Sequence, residues 1–477
     1  MRAIYNLLCS ADRASLPAIF VFVALPVLLL LAVLIPPGYA PDEPDHAVRI
    51  GSLLHFQVLG QRGTGVAPDG SAMLTAGVIA DPALVTADTA ITDPQYKWFT
   101  RADFNRLLAV RWSAEPRFVP APNTAQYAPL LYIPAAIAMA PVRALDAPPL
   151  LAILAGRLAS CAGYVLLGWC ALRLAGRGHL LIFAALMLPM SLWLAASLNQ
   201  DGLLIATAAL SAALLGRGAT ISGGVALACV MLAKPTYLPL ATILLAAPGA
   251  GLRHRFIGRF AWAVCCAAPA IVWSVIVARY VSTPFYLPTY HPGPLFAGDA
   301  AMELHATDPM LQLQVLLDDK LQLIKLPIDA LIAEGRQKYN QMIGGLGQLD
   351  VSLPHPLYLA WTIALAGTAA HAALRGPSEP RAGFLDALAA LIGITGSVLL
   401  IYLVEYLTWT RVGAPLIAGV QGRYFLPLLP FLGLALPSLR FAQAGVVRRP
   451  CGIPAIALAV AGLIYLPLLT VFEFYLR

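Results

Sequence analysis

The chain has 477 residues, of which 59% are hydrophobic and only 12% charged, and its mean hydropathy is +0.76. Charged residues are about half the usual quarter of a soluble domain, which excludes a soluble globular enzyme, a disordered chain and a nucleic-acid binder built on basic patches. A polytopic membrane protein is required. Thirty-one basic against 24 acidic residues give a net charge of +7, and the meaning of that excess depends on which side of the bilayer each charge occupies.

Arg2 and Arg13 precede an apolar run, Leu16 to Ile35, long enough to span a bilayer. Pro36-Pro37-Gly38 follows with no small-residue cleavage site, so the run reads as an uncleaved first transmembrane helix. A polar segment extends from Pro36 to about Thr124 and, with the juxtamembrane stretch behind it, forms a first outer loop over 36–149. Tyr127–Val142 carries prolines at 129, 134 and 141 and reads as a re-entrant or juxtamembrane helix on that side. Apolar runs follow at Leu150–Leu172, His179–Ser197, Leu203–Leu215, Thr220–Ala233, Tyr237–Ala247 and Phe256–Val281. A second outer loop covers 282–355, and Pro356–Leu374, Phe384–Thr408, Tyr424–Leu439 and Gly452–Tyr475 close the chain. The expectation is a single all-α transmembrane domain of about eleven spans. Several of the middle runs are short for a full crossing. The seven cysteines, none in a long polar segment, read as small packing residues rather than a disulfide or zinc framework.

Lys/Arg bias sets the orientation. With the N-terminus inside, thirteen arginines (2, 13, 173, 177, 217, 253, 255, 259, 375, 381, 440, 448, 449) fall on the cytoplasmic side against Asp12, Glu379 and Asp386, leaving +10 there and −3 elsewhere. The basic pI is therefore a topology signal, with the C-terminus outside. The large polar loops sit at unequal positions, unlike the matched halves of inverted-repeat transporters. No Walker A stretch supports direct use of ATP.

Four places on the outer side carry candidate chemistry. The first is Pro41-Asp42-Glu43-Pro44-Asp45-His46-Ala47-Val48-Arg49, just beyond the first helix. Asp42 suits an N-cap and Glu43 a first turn, and capping alone accounts for both acids. Capping does not account for His46 and Arg49, which join Asp42 on one helical face by steps of four and three. Asp201, in the short connection Ser197-Leu198-Asn199-Gln200-Asp201, reads either as the cap of the next helix or as a second functional acid. Lys234 ends an apolar run before Pro235 and either snorkels to headgroups or serves the site. Arg423, in Gln421-Gly422-Arg423-Tyr424-Phe425-Leu426-Pro427, can offer a bidentate fork to a phosphate. Glu405, Arg279 and Arg157 lie within or at the ends of spans without assignable partners. Acids and bases converging at the lipid–water boundary suit group transfer from a lipid-phosphate carrier. A carboxylate would take the proton of an acceptor hydroxyl or bind a metal, and cations would hold the departing phosphate.

This pattern resembles the GT-C glycosyltransferases, in particular aminoarabinose transferases of lipid A and protein O-mannosyltransferases. The Pro41-Asp42-Glu43…His46 stretch, Gly344-Gly345-Leu346-Gly347-Gln348-Leu349-Asp350…Pro354 and Gly422-Arg423-Tyr424-Phe425-Leu426-Pro427 are also similar to a bacterial family of predicted membrane proteins of unknown function. The GT-C resemblance implies an inverting transfer from a polyprenyl-phosphate sugar to a lipid or envelope-glycan acceptor, on the outer face of a bacterial cytoplasmic membrane. Asp42 would be the general base, Glu43 its assistant and Asp201 the second acid. Lys234, Arg423, Arg49 and Tyr424 would hold the donor phosphate. A divalent metal ion on His46, Asp42 and Asp201 is a further expectation; His46 departs from the aminoarabinose-transferase pattern. Partners would be the donor, the acceptor and membrane lipids, with no nucleic acid. A lipid-linked glycan transporter and a non-catalytic scaffold of an envelope-polysaccharide complex are the alternative classes.

Overall fold

A computed structural model describes residues 15–67, 70–88, 98–246, 256–375, 383–436, 439–440 and 450–476. Of the arginines expected on the cytoplasmic side, 2, 13, 253, 255, 381, 448 and 449 lie outside these residues, as do Cys9, Asp12 and Glu379.

The protein is a helical membrane protein. Helix α1 (Leu16–Leu34) begins with Pro17 in its first turn, where a missing N–H costs nothing, and ends at Ile35 ahead of Pro36-Pro37. Its 19 residues reach about 28 Å, the thickness of a bilayer core. Helix α2 (Glu43–Leu53) follows in the first polar segment, and then an antiparallel sheet in the order β1 (Gln61–Val66), β2 (Ala72–Ala80), β3 (Arg117–Pro120). The Phe118 ring leaves room only for glycine at 63 and 77. This small sheet corrects the expectation of an all-α chain. Its Val78 and Val119 pack with Val48 of α2 onto Val277 of a later helix and Val281 just past that helix's end. Arg62 fastens it by donating to the carbonyls of Ser282 (3.1 Å) and Ala278 (3.1 Å).

Pro129–Tyr132 is one turn of 3-10 helix leading into α3 (Ile133–Ala144), and α4 (Pro149–Leu174) runs back through the apolar layer. The expected span 179–197 is two pieces, α5 (His179–Met187) and α6 (Pro189–Ala195), broken where Leu188 takes the extended conformation that a following proline favours. Helix α7 (Gln200–Gly216) turns back by 119° from α6. Then come α8 (Thr220–Ala233), a 3-10 turn at Pro235–Ala241, α9 (Thr242–Ala246) and α10 (Phe256–Tyr280). The second polar segment holds α11 (Pro309–Asp318) and α12 (Gln322–Gly344), and α13 (His355–Ala373), α14 (Phe384–Thr408), a 3-10 turn at Gly422–Leu428, α15 (Leu429–Ala435) and α16 (Ile453–Tyr475) complete the fold.

Among the described residues, five helices are long and apolar enough to cross a membrane: Leu16–Leu34, Pro149–Leu174, Ile257–Tyr280, Phe384–Thr408 and Ile453–Tyr475. The bent pair α6–α7 makes a sixth if it is one span. The expected count of about eleven is not reached, because prolines cut the middle runs into pieces. The 14 residues of α8 cover only about 21 Å.

The bundle packs around α7, which is apolar on all sides and accordingly buried. Leu203, Ala206 and Ala213 face α1, α5 and α16 on one side, while Leu204, Ala208 and Leu215 face α8, α14 and α15 on the other. The N-terminus of α7 and the C-termini of α8 and α14 thereby come to one end of the bundle, below the first polar segment.

Candidate functional site

The loop between α1 and α2 is held by a buried ion pair. Arg157 of α4 donates to Glu43 twice, Nε to Oε1 at 2.8 Å and Nη2 to Oε2 at 2.7 Å. Its remaining N–H groups reach the carbonyls of Ala32 (3.0 Å), Ile35 (2.6 Å) and Pro36 (3.2 Å), the open C-terminal turn of α1. Glu43 also accepts from the backbone N–H of Leu198 (2.7 Å) and Gly38 (3.1 Å). A fully enclosed carboxylate with four hydrogen bonds has no lone pair to lend to a reaction. Glu43 therefore stands apart from the site as a clamp on its scaffold. Gly38 has φ +77°, and a Cβ there would fall 1.8 Å from the carbonyl oxygen of Asp88, so only glycine fits.

Clamping Glu43 aims Asp42 at Arg423. Asp42 occupies the N-cap position of α2, but in the left-handed conformation (φ 59°) and with no capping hydrogen bond, so its carboxylate is not spent on the helix as capping would require. It pairs instead with the Arg423 guanidinium, from 381 residues away in the chain, and its other oxygen accepts from Asn123 Nδ2 (3.3 Å). The Pro41 carbonyl links the same segments, accepting from Arg423 Nη1 (3.2 Å) and Asn199 Nδ2 (3.1 Å). Burial pushes the Asp42 carboxyl up, but Arg423, His46 and Lys234 outweigh it and hold the group below its ordinary value.

Asp201 is not the cap of α7; Asn199 is, its Oδ1 accepting from the Asp201 N–H at 2.6 Å. That leaves the buried Asp201 carboxylate to meet Lys234 Nζ at 2.7 Å and Arg423 Nη1 at 3.5 Å. Lys234, at the break between α8 and the following 3-10 turn, is buried and does not snorkel. Its ammonium lies over the rings of Tyr424 (4.8 Å) and Tyr127 (5.6 Å), and Arg423 lies 5.5 Å from the Tyr424 ring. Two carboxylates and two cations thus form a quartet of zero net charge walled by tyrosines.

The other expected residues divide. Tyr424 joins the quartet. His46 lies beside it, with Nδ1 2.7 Å from the Tyr132 hydroxyl and its ring stacked on Tyr127. Burial, against the pull of Asp201 and Asp42, lowers its pKa to about 4, so it is a neutral imidazole at physiological pH. Arg49 points elsewhere: it donates to the carbonyls of Tyr127 (3.0 Å) and Val58 (2.6 Å) and to Ser52 Oγ (2.9 Å), pinning the chain after α2. It is not among the groups that could hold a phosphate beside Arg423. Among the described residues no three or more His, Cys, Asp and Glu side chains are grouped to hold a metal ion, and Asp42 and Asp201 face cations instead. The trio His46, Asp42 and Asp201 does not fit a metal.

Asp45 and Glu405 went unassigned from sequence. Asp45 lies one helical turn after Asp42 and shares Asn123 with it. Burial first, then the charge of Asp42, raise its pKa to about 7 despite the hydrogen bonds from Asn123. The step of three that linked His46 to Arg49 also links Asp42 to Asp45, so the signal was present in the spacing. Tyr127 and Tyr132 sit in a proline-rich apolar stretch that gave no such signal.

The two other motifs support this arrangement. Gln348 Nε2 donates to the Gly38 carbonyl (2.8 Å) and the Tyr39 hydroxyl donates to Asp350 (3.0 Å), so the 344–354 loop braces the 38–43 turn. Gly422 donates to Gln341 Oε1 (3.1 Å), and a Cβ on it would strike the Lys338 carbonyl at 2.2 Å, so glycine is what lets Arg423 sit against α12.

No curated protein and no solved structure matches the chain. A family model does, over residues 25–432, most of the length and all of the quartet, and the chain belongs to that family, described as predicted membrane protein (DUF2142).

Proposed function

We propose that the protein is a membrane glycosyltransferase of the GT-C type, moving a sugar from a polyprenyl-phosphate donor to a lipid or envelope-glycan acceptor at the outer face of a bacterial cytoplasmic membrane. In this reading the N-terminus is inside, and the short and bent apolar helices complete the crossings that five long helices begin. The observation that carries the proposal is the Lys234–Arg423 pair, two cations converging with two carboxylates at one end of the bundle. Cations so placed stabilise the charge that develops on a leaving phosphate. The acceptor oxygen bonds to the anomeric carbon as the bond from that carbon to the phosphate oxygen breaks, and the electron pair leaves with the phosphate. Arg423 moves onto the phosphate and frees Asp42, which takes the acceptor proton. Asp201 keeps Lys234 in place. A lipid-glycan transporter would place ionisable groups on both halves of a pathway, whereas these gather at one end.

The test is transfer of radiolabelled sugar from short-chain polyprenyl-phosphate sugars to envelope lipids by the protein in liposomes. Loss of product in Arg423→Ala and Lys234→Ala, with folded protein retained, is expected. Undiminished transfer in both variants would sink the proposal.

A further inference from the structure

We infer that Glu405 is the acceptor-side residue of this site, its carboxylate taking hydrogen bonds from the hydroxyls of a saccharide. The inference rests on the reading of the quartet as a donor-phosphate site and adds the second substrate to it.

The acids of the quartet and those on the turn of α2 beside it are already engaged. Asp42 is paired with Arg423, Asp201 with Lys234, Glu43 with Arg157, and Asp45 is bonded to Asn123. Glu405, near the C-terminal end of α14, makes no hydrogen bond or ion pair through its carboxylate among the described residues. Gly419, which passes against it, stands two residues before Gln421, the partner of Arg423, and Tyr402, one turn before it on α14, lies 6.1 Å from the ring of Phe425, two residues after Arg423, so α14 brings Glu405 alongside the segment that carries the quartet arginine, within reach of the charges of Lys234, Arg423 and Asp42. The residue is not fully enclosed.

Its position is fixed without being satisfied. Gly419 (φ +87°) passes so close that a Cβ there would lie 2.6 Å from Glu405 Oε2 and 2.4 Å from Trp409 Cδ1. Trp409, one turn further on, packs against Phe285 with ring centroids 3.9 Å apart and the rings tilted by 33°. A carboxylate beside a rigid aromatic suits a sugar: it offers several acceptor positions to neighbouring hydroxyls and no donor, and the indole covers apolar C–H faces. Lys234 and Arg423 take the anionic substrate, and Glu405 repels it. The cation pair and Glu405 therefore sort a phosphate-bearing substrate from a neutral hydroxylated one.

The experiment uses the full-length protein in detergent with two probes, farnesyl phosphate for the donor side and a panel of methyl glycosides for the acceptor side, followed by saturation-transfer NMR. Saturable binding of at least one glycoside at millimolar concentration is expected. In Glu405→Gln that binding falls about ten- to hundredfold, the range for losing a charged acceptor, while farnesyl phosphate binds no more weakly. Glu405→Asp restores part of the glycoside binding, which a general loss of folding would not. Equal glycoside binding in wild type and Glu405→Gln, no glycoside binding in wild type, or parallel loss of both probes from a folded Glu405→Gln would each overturn the inference. If farnesyl phosphate fails to bind wild type, the donor reading falls, and the glycoside arm still judges Glu405 by itself.

Discussion

If Arg423 must exchange Asp42 for a donor phosphate, Asp42 is an internal competitor, and removing its charge should tighten phosphate binding. Asp42→Asn is the perturbation, nearly isosteric and able to keep the contact with Asn123. In the protein as it stands, Arg423 contacts the Asp42 carboxylate, Gln421 Oε1 at 2.7 Å, the Pro41 carbonyl at 3.2 Å and, more loosely, Asp201 at 3.5 Å. An incoming phosphate can displace Asp42, since Gln421 and Pro41 are neutral and Asp201 is held by Lys234. The Asp42 side chain is 30% exposed, so the full low-dielectric strength of the pair does not apply. A net coupling of about 1.5–3 kcal/mol is appropriate for a close, partly buried pair, which converts to about ten- to hundredfold tighter binding. Calorimetric titration of farnesyl phosphate into the detergent-solubilised protein reads this directly. Asp45→Asn is the control, because it removes an acid from the same helix face that is not paired with Arg423, and its effect should be smaller. Unchanged or weaker binding in Asp42→Asn would refute the exchange. An effect matched by Asp45→Asn would reduce it to general electrostatics.

The Glu43–Arg157 pair should behave as scaffold: Glu43→Ala or Arg157→Ala leaves a charge enclosed without its partner and should cost about 3–5 kcal/mol, read as loss of monodisperse protein on heating in detergent. Asp45 should make stability fall as pH rises. Its folded pKa of about 7 exceeds the unfolded value of about 4, so its contribution is full below about pH 4 and is lost by about pH 7; the difference between wild type and Asp45→Asn in thermal unfolding should develop across that window, and a flat difference would reject the assignment. Binding of a singly charged phosphate should also take up protons near neutral pH, seen as a binding enthalpy that varies with the ionisation heat of the buffer and varies less in Asp45→Asn.

The sequence names every member of the quartet but none of its pairings. Asp42, Asp201, Lys234 and Arg423 stand out because isolated charges beside apolar runs are costly. Their partners come from other helices, up to 381 positions away, and no periodicity carries that information. Local rules failed where the tertiary structure recruited a side chain. Asp42 has the composition of a cap and the backbone of a strained turn, and the cap of α7 is Asn199, two residues before the acid expected to fill that role. Arg49 shares a helical face with Asp42 and His46, yet its reach lets it serve carbonyls of the following chain. The long apolar helices were legible to within a residue or two, α14 completely. The break at Lys234 was legible too, but the break at Leu188 was not, since hydropathy averages over a window that a single proline can divide.

The neutrality of the quartet explains how three buried charges, with a fourth partly exposed, can lie among apolar helices. Two cations alone would repel one another and pay an uncompensated desolvation cost; two acids alone would protonate. Interleaved, with Arg423 touching both carboxylates and Lys234 lying on tyrosine faces, they form a site that is stable empty and still holds cationic charge in reserve. A bound phosphate adds one negative charge and upsets the balance. The least costly repair is to protonate a nearby acid whose pKa already lies near 7, and Asp45, one turn along α2 from Asp42, is such an acid. The same charge arithmetic makes the quartet a poor resting place for a neutral ligand, so in the proposed reading a hydroxylated acceptor falls to Glu405, whose carboxylate has no partner among the described residues.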